Sequence, residues 1–213
     1  MAAGRLITIE GLDGAGKTTL AAGLLDVLRE RGVAVELLRE PGGVALSERL
    51  REVVKDPALA VSPRAEALVY AAARAQLVEE RLRPLLDGGT WVLLDRFVDS
   101  SLAYQGGGRG LGLDEVAALN RFGTGGLAPD RTLYLRVDPR LGRERQGTRG
   151  EQADRLEREG EDFFGAIALS YEDLAALEPE RIRPIDAAQP PEAVLADAIG
   201  ALSDLLTQPS SRH

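Results

Sequence analysis

The sequence predicts an α/β fold in which a central parallel sheet of five strands carries helices on both faces. Short apolar runs rich in β-branched residues alternate along the chain with longer stretches whose apolar residues recur at helical spacing. Strand and helix alternate in this way in parallel sheets, because each parallel connection needs a crossover. The 213 residues suffice for one layered domain. We expect that domain to span residues 1–207 and residues 208–213 to be a disordered tail.

Composition excludes several classes of function. The net charge of −8 argues against a nucleic-acid binder, whose phosphate contacts need surplus basic residues. The chain has no cysteine and a single histidine, His213, so thiolate metal sites and histidine-dependent catalysis are not expected. A bound metal would therefore be a hard cation on oxygen ligands. No leader sequence or long apolar stretch is evident, so we expect a cytoplasmic protein without a membrane partner.

A glycine-rich motif at residues 11–19 lies between the first predicted strand, residues 6–9, and a helical pattern over residues 19–28. This spacing lets a turn aim backbone N–H groups at phosphate oxygens, while Lys17 reaches the β/γ-phosphates and Thr18 holds Mg²⁺. The dipole of the following helix also favours an anion there. The residues predicted to bind ATP in this loop are Gly11, Leu12, Asp13, Gly14, Ala15, Gly16, Lys17, Thr18 and Thr19.

A second apolar run, residues 33–38, predicts a strand buried inside the sheet that ends in Arg39 and Glu40. Open α/β sheets bind ligands at the carboxyl ends of their strands, so this pair is a candidate for the site. A plain turn with solvated charges explains the pair equally well, because the Pro-Gly-Gly that follows favours turns.

Helical spacing continues over residues 46–54, which include Arg51, and over a long helix from Pro63 through residue 86. Tyr70 and Arg74 lie four residues apart and share one face of this helix. The Tyr70 ring would therefore lie beside the hydrogen-bond donors of the Arg74 guanidinium. Without the upstream loop, a tyrosine at the edge of the core and a surface arginine would explain them better.

The third strand, residues 91–95, is an apolar run that ends in the carboxylate of Asp95. In phosphate-loop proteins an aspartate at this position lies beside the loop and binds Mg²⁺, which makes Lys17, Thr18 and Asp95 a chemically complete set. A structural ion pair between Asp95 and Arg96 is the alternative.

The glycines at 106–110 predict a flexible connection, because such a stretch rarely holds the interior of an element. Asp114 is then expected to cap a helix that runs to about residue 121. The remaining pattern predicts a strand over residues 129–137, a helix over 163–177, a last strand over 181–185 and a closing helix over 191–206.

Residues 140–160 carry a high density of arginine, interrupted by glycines. Such a segment is typical of a mobile lid that closes over phosphates. A solvated helix in which arginine alternates with glutamate is the alternative. The arginines are Arg140, Arg143, Arg145, Arg149, Arg155 and Arg158.

Together these motifs resemble those of the bacterial thymidylate kinase family over nearly the whole chain. The matching segments are residues 9–19, residues 39–43, the pair Tyr70 and Arg74, residues 95–105, residues 129–132 and residues 154–157. The resemblance implies a three-layer P-loop fold with an arginine-rich lid. It also implies transfer of the γ-phosphoryl group of ATP to dTMP, with Mg²⁺, to give dTDP and ADP in dTTP synthesis by a homodimer.

The resemblance further assigns roles to matching residues. Asp13 would lie by the sugar 3′-hydroxyl and the phosphate of dTMP, Arg51 and Arg96 would hold that phosphate, and Tyr104 would crowd a ribose 2′-hydroxyl. Tyr70 would stack on the base, Arg74 would donate to the thymine carbonyl, and Ser101 and Gln105 would contact the base edge. The full substrate-binding set is Asp13, Glu40, Arg51, Tyr70, Arg74, Arg96, Ser101, Tyr104 and Gln105, and the catalytic set is Lys17, Asp95, Arg96, Arg149 and Asp13.

Two features depart from the family pattern. Tyr70 stands where the family usually has phenylalanine, which adds a hydroxyl that needs a partner. Family members without a basic residue inside the phosphate loop carry charge-neutralising arginines in the lid, and residues 12–15 are non-basic here. Residues 146–148 interrupt the arginine spacing, and we predict Arg149 as the catalytic lid arginine, with Arg143 and Arg145 contacting ATP.

Two other functions fit parts of the pattern. A kinase for another nucleotide or a sugar would share the phosphate loop, but Tyr70, Arg74, Ser101 and Gln105 favour a planar base. A P-loop switch that signals through its nucleotide state would need no second set of arginines for an acceptor. The chain also lacks the Asn-Lys-x-Asp sequence that reads guanine.

Overall fold

The computed structural model describes residues 4–147 and 155–207. Five strands form one sheet with the order β2-β3-β1-β4-β5, and every neighbouring pair is parallel. The predicted α/β class with a five-stranded parallel sheet is confirmed. The strands are β1 (Leu6–Gly11), β2 (Val35–Arg39), β3 (Trp91–Asp95), β4 (Arg131–Arg136) and β5 (Ile182–Asp186).

Helices connect these strands, as parallel pairing requires. Pro63 opens the long helix in the first turn, where its missing N–H is not needed, and the Ser62 hydroxyl accepts from the Ala65 N–H. That helix continues through a π-helical turn, Val78–Leu82, to residue 87. The helices are α1 (Lys17–Glu30), α2 (Ala45–Lys55), α3 (Pro63–Leu77), α4 (Arg83–Asp87), α5 (Val98–Ser101), α6 (Leu113–Thr124), α7 (Pro139–Gly147), α8 (Glu161–Leu177), α9 (Pro191–Ala201) and α10 (Ser203–Thr207).

Two hydrophobic cores lie on the two faces of the sheet. Leu93 of β3 packs in a core with residues of α1, α8 and α9. Its neighbours Val92 and Leu94 point the other way and pack with α3 and α4. Successive side chains of a strand alternate between its faces, so a strand that is apolar throughout is buried on both sides. The predicted helices on both faces are thereby confirmed.

Two local predictions are wrong. The second strand is not buried inside the sheet, because β2 forms one edge of it and its residues are half-buried or exposed. Asp114 does not cap its helix, since Gly112 holds the N-cap position and Asp114 lies within the first turn. A carboxylate there still favours the helix dipole, which explains why the sequence pattern resembles a cap.

The prediction of a flexible connection at residues 106–110 is also wrong for most of that stretch. A π-helical segment, Leu102–Gly108, follows α5 directly and packs against α8. A Cβ atom on Gly107 would lie 1.9 Å from Ser170 Oγ and 2.9 Å from Ser170 Cβ. The glycines therefore serve the close approach of two helical segments rather than freedom of the chain.

The close packing at Gly107 predicts a measurable loss of stability in Gly107→Ala. We expect the free energy of unfolding to fall by about 1–3 kcal/mol, because an added methyl group overpacks the contact. Urea unfolding measures the change. The double variant Gly107→Ala, Ser170→Ala should lose less than the sum of the single variants, since Ser170 Oγ is the nearest clash. Gly165→Ala in α8, where a Cβ meets nothing within 4 Å, is the control and should not destabilise.

Candidate active site

One cavity lies at the carboxyl ends of β1, β2 and β3, where the strand order predicts a ligand site. Asp95 is in register with Ile9 of β1 and Arg39 of β2, so the ends of three strands meet there. The predicted site residues on its wall are Asp13, Gly14, Gly16, Lys17, Thr18, Glu40, Arg51, Tyr70, Arg74, Asp95, Arg96, Ser101, Tyr104 and Gln105. The structure thus brings together residues from segments nearly a hundred positions apart.

Some predicted residues do not line this cavity. Leu12 and Ala15 are buried in the hydrophobic core, and Thr19 is exposed in the first turn of α1. Gly11 ends β1 beneath the loop and pairs in register with Leu135. Neither Arg143 nor Arg145 is on the cavity wall. The ATP-binding role predicted for these six residues stays a prediction.

The phosphate loop has the backbone conformation that its glycines allow. Gly14 and Gly16 have φ angles of 80° and 95°, in the left-handed region that other residues avoid. Gly16 is the N-cap of α1, so the first N–H groups of the helix open toward the cavity. A Cβ on Gly14 would lie 2.0 Å from the carbonyl oxygen of Gly142, so α7, the start of the predicted lid, contacts the loop directly.

Lys17 is buried at the base of the loop. Its ammonium group donates to the carbonyl oxygens of Gly11, at 3.2 Å, and Leu12, at 2.9 Å. Burial and the nearby charge of Arg96 lower the pKa of Lys17 to about 8, against the opposing attraction of Asp13 and Asp95. An anion in the cavity would stabilise the charged ammonium, which makes Lys17 a ready phosphate partner.

Asp13, Arg96 and Tyr104 form a polar cluster in the middle of the cavity. Arg96 Nη2 donates to Asp13 Oδ1 at 2.7 Å and lies 3.2 Å from the Tyr104 hydroxyl, while its guanidinium stacks on the Tyr104 ring. Burial disfavours the charge of Asp13, but Arg96 and Lys17 outweigh it and hold the pKa of that carboxyl well below its usual range. Arg96 has a φ of 70°, a strained conformation that only surrounding contacts maintain.

Asp95 and Thr18 are the two residues on the cavity wall whose side-chain oxygens are candidates to bind a metal ion. Asp95 Oδ1 is buried and has no hydrogen-bond partner within the described residues, although its carboxylate lines the cavity together with the exposed Thr18. Oxygen ligands suit Mg²⁺, which keeps several waters and uses few protein ligands. In residues 4–147 and 155–207 no group of three acidic or histidine side chains could hold a metal by itself. Water and phosphate oxygens would therefore complete the coordination of a bound Mg²⁺.

Arg74 is almost completely buried, and each of its guanidinium nitrogens already has an acceptor. Nε donates to Glu40 Oε2 at 2.8 Å, and Nη2 donates to the Phe97 carbonyl oxygen at 2.9 Å. Nη1 donates to Ser101 Oγ at 2.9 Å and to Asn120 Oδ1. A thymine carbonyl could reach Arg74 only by sharing or replacing one of these acceptors. The structure thus places Arg74 at the site, where its contacts hold the cavity wall together.

Glu40 is the buried partner of Arg74. Burial raises the pKa of the Glu40 carboxyl, although the charge of Arg74 opposes the shift. Its second oxygen, Oε1, is buried and has no hydrogen-bond partner within the described residues. Glu40 also belongs to the residues that line the cavity.

Glu10 is a completely buried carboxyl group behind the cavity. It accepts from the N–H of Phe97 at 2.7 Å, from the N–H and hydroxyl of Ser100 at 3.2 and 2.5 Å, and from the Tyr171 hydroxyl at 2.8 Å. Ser100 Oγ in turn accepts from Arg96. Burial, and to a lesser degree Asp99, raises the pKa of Glu10 to about 7. The carboxyl group holds the backbone that follows Arg96 in place.

The predicted lid arginines make contacts outside the cavity. Arg143 donates to Glu161 at 2.7 Å and stacks on Phe164, and Arg145 donates to the Ala187 carbonyl oxygen at 2.8 Å. Arg149 lies outside the described residues, as does Asp154.

Comparison with known proteins agrees with the geometry. A family model for thymidylate kinase matches residues 9–198. The chain belongs to the thymidylate kinase family. It is 47% identical over 205 residues to the thymidylate kinase of Halorhodospira halophila, covering 95% of each chain. It is 48% identical over 204 residues to that of Deinococcus radiodurans, covering 96% of this chain and 98% of the relative.

Membership of the thymidylate kinase family confirms the resemblance seen in the sequence motifs, and it makes the protein an enzyme rather than a signalling switch. Several residues around the family's site were missed by sequence reasoning. Lys55 and Leu156 line the cavity, and Glu10, Glu66 and Asn120 support it from behind. Glu66 could have been found, because it lies one helical turn before Tyr70 and two turns before Arg74.

In this thymidylate kinase family member, the buried Glu10 predicts a pH-dependent stability. Its pKa is higher in the folded than in the unfolded chain, so the folded state binds the extra proton between about pH 4.5 and 7. The free energy of unfolding that Glu10 contributes therefore falls as the pH rises through this window, by up to about 3 kcal/mol. We expect urea unfolding to show Glu10→Gln gaining stability relative to wild type between pH 5 and pH 8.

The exposed Glu52→Gln serves as the control, whose stability difference from wild type should not depend on pH over the same range. Curves of wild type and Glu10→Gln that run parallel from pH 5 to pH 8 would contradict the prediction.

Proposed function

We propose that the protein transfers the γ-phosphoryl group of ATP to dTMP, giving dTDP and ADP in dTTP synthesis. The observation that carries the proposal is one cavity with a phosphate loop at one end and a buried polar pocket at the other, joined by the Asp13–Arg96 pair. Phosphoryl transfer needs mainly positioning and charge stabilisation, and this cavity offers both. Membership of the thymidylate kinase family supports the same reaction.

On the donor side, Lys17 and the N–H groups of the loop would bind the ATP phosphates. Thr18 and the unpartnered oxygen of Asp95 would hold Mg²⁺, which would neutralise developing charge on the phosphates. Lys17 is held on loop carbonyl oxygens within reach of the cavity. Arg149, Arg143 and Arg145 are proposed to add charge from the lid once ATP is bound.

On the acceptor side, Arg96 and Arg51 would hold the dTMP phosphate. Both guanidinium groups are oriented by contacts within the protein, because Asp13 accepts from Arg96 and the Pro41 carbonyl oxygen accepts from Arg51. Preorganised donors of this kind need little reorganisation during the reaction. The acceptor is already an anionic phosphate, so no general base is required.

The rest of the acceptor pocket would select the nucleoside. The Tyr70 ring would stack on the base, with Arg74, Ser101 and Gln105 at its edge. Glu40 would accept from the nucleotide through its unused oxygen. Tyr104, buried beside Asp13, would leave no room for a ribose 2′-hydroxyl.

We also propose a homodimeric assembly and a cytoplasmic location. A homodimer is supported by exposed apolar side chains on two adjacent helices, Leu68 of α3 and Phe122 of α6, which a second copy would cover. Within the described residues no helix is long and apolar enough to cross a membrane. A cytoplasmic location is proposed because ATP and dTMP, the proposed substrates, are cytoplasmic metabolites.

A panel of nucleoside monophosphates tests the reaction. We expect kcat/KM to be highest for dTMP, lower for dUMP by about 10–200-fold because one methyl contact is lost, and lower for dCMP by about 10⁴-fold because its edge mismatches the pocket. UMP should be worse than dUMP. Lys17→Ala should abolish turnover while still binding dTMP in calorimetry. A higher kcat/KM for any other monophosphate, or normal turnover by Lys17→Ala, contradicts the proposal.

The metal site has its own test in Asp95→Asn. Replacing one carboxylate oxygen should lower kcat and raise the Mg²⁺ concentration at half-maximal activity by about 10–100-fold. Activity is measured against Mg²⁺ at fixed saturating ATP. The exposed Asp26→Asn is the matched control and should leave the Mg²⁺ midpoint unchanged. An unchanged midpoint in Asp95→Asn would remove Asp95 from the metal site.

A further inference from the structure

Glu66 of α3 is a completely buried carboxylate just outside the cavity wall. Its Oε1 accepts from Gln105 Nε2 at 2.9 Å and from Arg109 Nε at 3.3 Å. Its Oε2 accepts from Arg109 Nη2 at 3.0 Å and from Arg155 Nη2 at 2.6 Å. One carboxylate thus joins α3, the π-helical segment with the residue that follows it, and Arg155 near the end of the predicted lid.

The charge of Glu66 is well compensated. Two guanidinium groups face it, and each has further contacts that hold it in place. Arg109 stacks on Phe163 and pairs with Glu159, and Arg155 Nε donates to the Val54 carbonyl oxygen. A buried carboxylate surrounded by such donors has a fixed position and remains an acceptor.

This arrangement decides which way the Gln105 amide faces. A carboxylate can only accept hydrogen bonds, so the amide must turn its NH₂ group toward Glu66. The opposite orientation would bring two oxygens together in a buried place. Gln105 is on the cavity wall, and every hydrogen bond that the described residues give its side chain uses Nε2. The carbonyl oxygen is left to face the cavity.

We propose that Glu66 is a specificity-determining positioning residue, which fixes the Gln105 amide so that the pocket presents an acceptor to the edge of the base. Thymine and uracil carry an N–H at ring position 3 and can donate to this oxygen. Cytosine carries a lone pair there and would face it with a second acceptor. The inference rests on the proposed function, because it assigns part of the base selectivity of that same site to a residue that does not touch the base.

Glu66→Gln separates this role from that of a structural ion pair. The introduced amide can donate to the Gln105 oxygen and allow the Gln105 amide to turn over, so that NH₂ faces the cavity. We expect KM for dTMP to rise about tenfold with kcat changed much less, since the contact is one of substrate binding. The ratio of kcat/KM for dTMP to that for dCMP should fall at least tenfold. If Glu66 formed a purely structural ion pair, its loss would lower kcat/KM for dTMP and kcat/KM for dCMP together and leave their ratio unchanged.

Two variants serve as controls. Glu159→Gln removes the other carboxylate on Arg109 without touching Gln105, and it should keep the dTMP to dCMP ratio within about twofold. In a Gln105→Leu background the amide is absent, so adding Glu66→Gln should change KM for dTMP less than twofold. A full tenfold effect in that background would show that Glu66 does not act through Gln105 and would overturn the proposal.

The wild-type protein provides a test that does not depend on any variant folding. Calorimetry compares the binding of dUMP with that of its cytosine analogue dCMP, whose ring nitrogen 3 carries a lone pair where uracil has an N–H. We expect the analogue to bind about tenfold more weakly, and equal affinity would overturn the proposal. Wild type that fails to phosphorylate dTMP contradicts the proposed function itself. If wild type phosphorylates dTMP but Glu66→Gln leaves the ratio of kcat/KM for dTMP to that for dCMP unchanged, only the role of Glu66 is contradicted.

Discussion

The buried ion pair between Arg74 and Glu40 is the interaction on which the proposed acceptor side of the cavity depends. The Arg74 guanidinium reaches the end of β2 through Glu40, the start of α5 through the Phe97 carbonyl oxygen, and α6 through Asn120. Removing one partner of such a buried pair leaves an uncompensated charge, which typically costs about 3–5 kcal/mol. The wall of the proposed base pocket is therefore held together by its own network of hydrogen bonds and ion pairs.

Buried carboxylates organise the rest of the site in the same manner. Glu10 fixes the backbone after Arg96, Glu40 anchors Arg74, and Glu66 orients Gln105. Within the described residues, Glu10 and Glu66 each accept from donors in separate parts of the chain, whereas Glu40 accepts from Arg74. Such donors are how a low-dielectric interior tolerates a carboxylate. Arginine suits this role better than lysine, because its planar fork can bridge several acceptors at once. Only Lys17 and Lys55 are lysines among the 26 basic residues.

Local signals predicted most of the fold, and they failed where distant packing decides the conformation. All five strands are predicted from the sequence, because apolar runs bounded by turns are a local property. The glycines at 106–110 predict a flexible connection, yet α8 packs so closely against Gly107 and Gly108 that a Cβ atom at either position would clash with it. The burial of β2 was overestimated, because position within a sheet is a matter of strand order and not of composition.

The sequence by itself determined the phosphate loop, the Asp95 strand and the family. In these segments, residue type and short spacing define the chemistry: glycine for left-handed turns, Lys17 and Thr18 on one helix, a carboxylate at a strand end. Only the tertiary structure decided how the proposed acceptor pocket is built. Which partners saturate Arg74, which way Gln105 faces, and where Glu10 and Glu66 lie depend on contacts between residues 23 to 161 positions apart. Buried hydrogen bonds depend on direction as well as proximity, and no local pattern encodes either for residues so far apart in the chain.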